Sequence, residues 1–154
     1  MTRPIVAFAV LLALAGEARA AYSVYVAAPR YRYVSGDIAA VCGAATLGCT
    51  DITALALHMR CEQRDDVWAA SASIAFVPVV HMPAFAAPAA AHRLLQHELA
   101  HVDDFHRAAE AYARSLAERR FPSVVACRAV ALQEEAAFGA RMSGVGRQSV
   151  ALRR

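Results

Sequence analysis

The stretch PAAAHRLLQHELAHVDDFHRAAEAYARSLAERR, residues 88–120, decides the fold of this 154-residue chain. After Pro88 it contains neither Gly nor Pro, and Leu94, Leu95, Leu99, Val102, Phe105 and Leu116 recur at helical spacing. Pro88 suits the first turn of a helix, where a backbone donor is dispensable. Phe121-Pro122 ends the run. Ser123 opens a second helical stretch, predicted to reach Met142 and to stop at Ser143-Gly144, with a frayed tail rich in Gly and Arg.

Upstream the pattern changes from helical to extended. Tyr22 to Val34 holds β-branched and aromatic residues in partial alternation, read as one or two strands broken near Pro29. Ser35-Gly36-Asp37 is a turn, and residues 38–50, rich in Ala and Gly, suit a short helix and a loop. Ile52–Gln63 and Val67–Val80 flank Arg64-Asp65-Asp66, which predicts an antiparallel hairpin. Pro78 lacks a ladder donor, so Ile74–Val80 is expected at a sheet edge. The expected class is α+β: a small antiparallel sheet followed by two long helices.

Composition narrows the function classes. Ala accounts for 38 residues, and there are 16 Arg but no Lys and no Asn. The hydrophobic share of 58% is too high for a disordered chain. A net charge of +3, with Arg scattered among acids, does not point to nucleic acid. Residues 1–20 read as a secretory signal peptide: Arg3, an apolar run from Ile5 to Leu14, then Ala18-Arg19-Ala20 as cleavage site. That run is too short to span a bilayer, which takes about 20 apolar residues. Residues 21–154 are then one domain, periplasmic or secreted, with no membrane anchor. In an oxidising compartment the four cysteines read as two disulfides, with Cys42–Cys49 and Cys61–Cys127 the favoured pairing.

Within the first long helix lies His97-Glu98-Leu99-Ala100-His101, the pattern H-E-x-x-H. Residues four apart share a helix face, so two imidazoles can converge on one ion. Glu98, rotated about 100° from His97, can address the ion's open side. Zinc is the expected cofactor. The expected chemistry is hydrolysis of a peptide or protein substrate, with metal-bound water attacking the amide and Glu98 acting as general base.

The motif resembles that of the zincin metallopeptidases, whose fold implies an edge strand holding extended substrate above the motif helix. Ile74–Val80 would be that strand, with binding by strand addition. Residues 67–120 are similar to a bacterial family of exported, uncharacterised proteins to which zinc-protease activity is ascribed. The likeness rests on His97-Glu98-x-x-His101-x-Asp103, Ala111-Tyr112-Ala113-Arg114-x-Leu116 and Met82-Pro83. The C-terminal part departs from that family: Phe138-Gly139 and Gly144-Val145-Gly146 stand where it tends to have a Tyr-Asp pair and a later His-Gly.

A catalytic zinc usually has three protein ligands. Arg107 occupies the place of a third His six residues after the motif. The gluzincin arrangement, with a Glu from a downstream helix, makes Glu134 and Glu135 the candidates, and helical phase does not choose between them. Asp103 and Asp104 are candidate acceptors that fix an imidazole tautomer, and His81 is a candidate oxyanion donor. The competing reading is a non-catalytic zinc-binding or scaffold protein of the cell envelope with a degenerate zincin fold.

Overall fold

A computed structural model describes residues 21–43, 46–84 and 87–151. The signal-peptide reading therefore lies outside the described residues. In chain order come β1 (Tyr22–Val26), β2 (Arg30–Val34), α1 (Ala39–Cys42), β3 (Cys49–Arg64), β4 (Val67–Pro83), α2 (Pro88–Ala117), β5 (Arg120–Phe121) and α3 (Val124–Ala151). The class is mixed α and β, as expected.

The β3–β4 hairpin is the scaffold. Arg64 pairs with Val67 across a two-residue loop, Asp65-Asp66, both with positive φ (46° and 64°). Such backbone geometry matches the twist of paired strands, and Asp tolerates it better than most residues.

The sheet corrects the expectation of a small antiparallel one. It has five strands and is mixed. β3 covers one side of β4 along its length, antiparallel. On the other side β5, β1 and β2 line up end to end; β1 and β2 run parallel to β4, β5 antiparallel. β4 is thus the central strand, and its near-continuous apolar run is what a doubly paired strand requires.

Pro78 does not mark an edge. It is fully buried opposite Ile52. Ala72 donates to Ala21 and Phe76 accepts from Ala27, so the even-numbered residues of β4 direct their backbone groups toward β1 and β2. The nitrogen of Pro78 therefore faces the interruption between β1 and β2, around Pro29, where no ladder partner needs a donor.

β3 carries a bulge. Thr53 pairs with Val77 and Ala56 with Ala75, so two residues of β3 oppose Phe76 alone, with Ala54 at φ 48°. The extra residue inverts the phase of the strand. Before it, Thr50 and Ile52 face the helices; after it, Leu57 and Met59 do.

Both long helices pack on that face. Leu57, Ile74 and Phe76 from the sheet meet Val102, Phe105, Ala109, Ala113 and Leu116 of α2 and Phe138 and Met142 of α3. Phe76 and Phe105 meet edge to face, with centroids 4.8 Å apart. Ala109 and Ala113 are fully buried, small enough to seat α2 close to the strands. The two disulfides pair as favoured: Cys42–Cys49 anchors α1 to the start of β3, and Cys61–Cys127 ties β3 to α3. α3 also corrects its expected end, for it runs to Ala151 rather than stopping at Ser143-Gly144. Gly144 and Gly146 each weaken a helix by about 1 kcal/mol, which lowers propensity without forcing a stop.

Candidate metal centre

α2 carries His97, Glu98 and His101 at its middle, opposite the start of β3. The buried stripe of α2 runs Glu98, Val102, Phe105, Ala109, Ala113, Leu116. A carboxylate therefore occupies a core-facing place, while Leu99, one step on, is only partly buried. His97 is exposed and His101 intermediate, so the group opens outward from a buried acid.

One ligand atom from each of the three residues lies within 4.8 Å of the others. The two imidazoles meet edge to face, with Nε2 atoms 3.2 Å apart. Two nitrogens at about 2.0–2.1 Å from a tetrahedral zinc stand about 3.3 Å apart, so the separation suits one shared ion. A single proton between the rings suits it as well. The donor set of two imidazoles and a carboxylate is one that zinc accepts.

Glu98 is held from below. The Thr50 hydroxyl lies 3.0 Å from Glu98 Oε2 and 3.2 Å from the Glu98 backbone oxygen, and its single proton serves one acceptor at a time. Gly48 permits this approach: a Cβ there would lie 3.0 Å from the His81 carbonyl oxygen and 3.2 Å from the Leu94 side chain. Thr50 drew no attention in the sequence, where it closes a loop 48 residues before its partner.

The structure does not bring Glu134 or Glu135 to the histidines. Glu134 is buried and engaged further along the helices. It accepts from the Tyr112 hydroxyl at 2.6 Å and from Arg119 at 2.8 Å, with Arg141 at 3.3 Å. The Tyr112 hydrogen bond, aided by both guanidiniums, holds its carboxyl below the usual range against the opposing effect of burial. Burial, then the Glu134 hydrogen bond and charge, pushes the Tyr112 hydroxyl up to about 12. Glu135 accepts the Met59 backbone N–H at 2.7 Å, occupying a donor on the outer side of β3. Glu134 thus ties α3 to α2 and the turn that follows it, and Glu135 ties α3 to the sheet. Small residues near them do not explain Gly139, where a Cβ would meet nothing within 4 Å.

His81 does not face the group either. It is buried, with Nε2 3.0 Å from Asp51 Oδ2. Cys49 pairs with His81 and Thr50 with Val80, so alternation sends His81 and Asp51 to the sheet face away from α2. Asp104, one turn beyond His101, pairs with Arg107, and Asp103 is exposed. Since Ile74–Val80 is interior, the outer strand beside the group is the first half of β3, and strand addition on β4 is excluded.

Comparison with protein-family models, with curated proteins and with solved structures finds no match for this chain.

Proposed function

We propose that this chain is an exported zinc-dependent peptidase, with His97 and His101 as metal ligands and Glu98 as general base. The observation that carries the reading is the convergence of two imidazole Nε2 atoms at 3.2 Å beside a buried carboxylate on one helix. The resemblance of the motif to that of the zincins supports it further. Export is supported by the reading of residues 1–20, by two disulfides, and by the lack, among the described residues, of a helix able to cross a membrane.

Zinc, when bound, supplies Lewis acidity and lowers the pKa of water toward about 7. The chain's own part is positional. Thr50 aims the Glu98 carboxylate, Glu98 accepts a proton from the attacking water and passes it to the leaving amine, and no covalent intermediate forms on the protein. The outer edge of β3 offers backbone groups to an extended substrate.

A second reading has one observation in its favour. Among the described residues the group contains no third metal-binding side chain other than Glu98 itself. Glu98 would then be a ligand, and the protein a zinc-binding scaffold of the cell envelope without turnover.

Glu98→Gln separates the two. The test measures zinc stoichiometry and chelator-sensitive cleavage of an unfolded protein substrate in wild type and variant. The peptidase reading expects one zinc in both and cleavage in the wild type alone. Loss of zinc in the variant, with no cleavage by either, supports the scaffold. Undiminished cleavage by the variant overturns the assigned role of Glu98.

A further inference from the structure

α2 and α3 both lie on one face of the sheet, over Leu57, Ile74 and Phe76. Alternation turns the residues between these to the other face, where a cleft of about 450 Å³ opens. His58 and Arg60 of β3, Ser71 and Ser73 of β4 and Ser23 of β1 line it.

A solvated sheet face is ordinarily balanced across its strands, because opposite charges on neighbouring strands attract. That balance is missing here. His58 stands opposite Ser73 and Arg60 opposite Ser71, with Ser23 on the far side of Ser73. Glu62, the acid in the lining, is already held by Arg64 at 3.0 Å. The side chains of His58 and Arg60 make no ion pair or hydrogen bond with another described residue, and neither do those of the three serines. The cleft therefore gathers a guanidinium, an imidazole and three hydroxyls with donors to offer and no acceptor from the protein.

Their placement selects the kind of anion. Neighbouring strands are about 4.8 Å apart, and alternate residues of one strand about 6.8 Å apart. Groups at this spacing approach one central point from several directions. A carboxylate carries two oxygens in one plane, which a single guanidinium edge satisfies. A tetrahedral oxyanion presents oxygens on all sides, so it can accept from Arg60 and His58 on β3 and from rotating serine hydroxyls on β4 at once.

We propose that this cleft binds a phosphate group, with Arg60 as its charged anchor and His58, Ser71 and Ser73 as further donors. The site lies across the sheet from α2, so it stands apart from the His97–His101 pair and from the peptidase reading. Inorganic phosphate and a phospholipid headgroup share this chemistry, and the experiment separates them.

Chelator-treated protein is titrated calorimetrically with inorganic phosphate at low ionic strength, which limits screening. It is also sedimented with vesicles of phosphatidylcholine, alone or with phosphatidylglycerol added. Absence of metal keeps the anion from the His97–His101 pair. Phosphate is expected to bind at one site per chain. Arg60→Gln should weaken it at least about tenfold, the effect of losing charge-assisted hydrogen bonds. Ser71→Ala combined with Ser73→Ala should weaken it about threefold or more. Arg128→Gln removes the same charge from an exposed place on α3, across the sheet, and should change nothing. Melting temperatures equal to that of the wild type show that each variant keeps the fold. Co-sedimentation with phosphatidylglycerol vesicles that Arg60→Gln abolishes upholds the site and assigns it to a headgroup. Binding of inorganic phosphate without co-sedimentation upholds it for the soluble anion. Failure to bind either probe, equal weakening by Arg60→Gln and Arg128→Gln, or an affinity indifferent to both serines overturns the proposal.

Discussion

Replacing Glu134 by Ala should leave the candidate metal centre intact and weaken the fold. The side chain accepts from Tyr112 and Arg119 and pairs with Arg141, and it is almost fully buried. A hydrogen bond to a charged group contributes about 1.5–3 kcal/mol. Breaking a buried ion pair costs about 3–5 kcal/mol. Here the Arg119 and Arg141 side chains are 40% and 50% exposed, so water screens part of the loss. We therefore expect a destabilisation of about 3 kcal/mol. In a chain of this size that lowers the melting temperature by about 6–12 °C. Glu134→Gln keeps an acceptor for Tyr112 and should lose about half as much. The assay pairs thermal and urea unfolding with zinc stoichiometry at a temperature where both proteins are folded. A variant that loses its zinc but melts like the wild type would refute the reasoning and restore Glu134 as a ligand.

The other expectations concern the centre, the disulfides and pH. Thr50→Val removes the hydroxyl beneath Glu98 at nearly constant shape. If the chain is the proposed zinc peptidase, zinc should be retained and kcat should fall about tenfold or more, with Thr50→Ser restoring most of it; equal loss in both variants would deny the hydroxyl a role. Replacing both Cys61 and Cys127 by Ser releases a loop of sequence separation 66 and should cost about 4 kcal/mol, against about 2.5 kcal/mol for Cys42 and Cys49 at separation 7. Urea unfolding checks that order, and a reversed order rejects the loop-closure account. The Glu134 carboxyl titrates below its ordinary range in the folded state, so the stability it contributes is complete above about pH 4.5 and is lost as pH falls below that. The Tyr112 hydroxyl titrates near 12 rather than 10, so its contribution holds below pH 10 and fades between 10 and 12. Glu134→Gln should flatten the acid limb of melting temperature against pH, and Tyr112→Phe the alkaline limb.

Local rules explain why so much of the architecture was readable. Both long helices, the β3–β4 hairpin and the break at Pro29 follow from spacing, turn chemistry and the rigidity of proline, all of which act within a few residues. The motif on α2 was legible for the same reason, because i and i+4 share a helical face whatever surrounds them. An even count of cysteines in a chain read as exported points to two disulfides; of the three possible connectivities, the favoured one is the one the structure holds.

What escaped the sequence depends on partners far along the chain. The parallel pairing of β1 and β2 with β4 joins segments about 50 residues apart, and alternation alone cannot name a strand's neighbour. Pro78 follows the rule that proline avoids paired donors, yet its nitrogen meets a gap between two other strands, which is visible only once they are placed. The Ala54 bulge inverts β3 and thereby brings Thr50 under Glu98, and no residue near position 54 announces it. Glu134 and Glu135 show the same limit from the other side. Two acids on an apolar helix announce that something uses them, but a carboxylate satisfies an imidazole-bound ion, an arginine or a backbone N–H with equal chemistry. Only the packing of α3 against α2 and β3 assigned Glu134 to Tyr112 and the arginines, and Glu135 to the edge of the sheet.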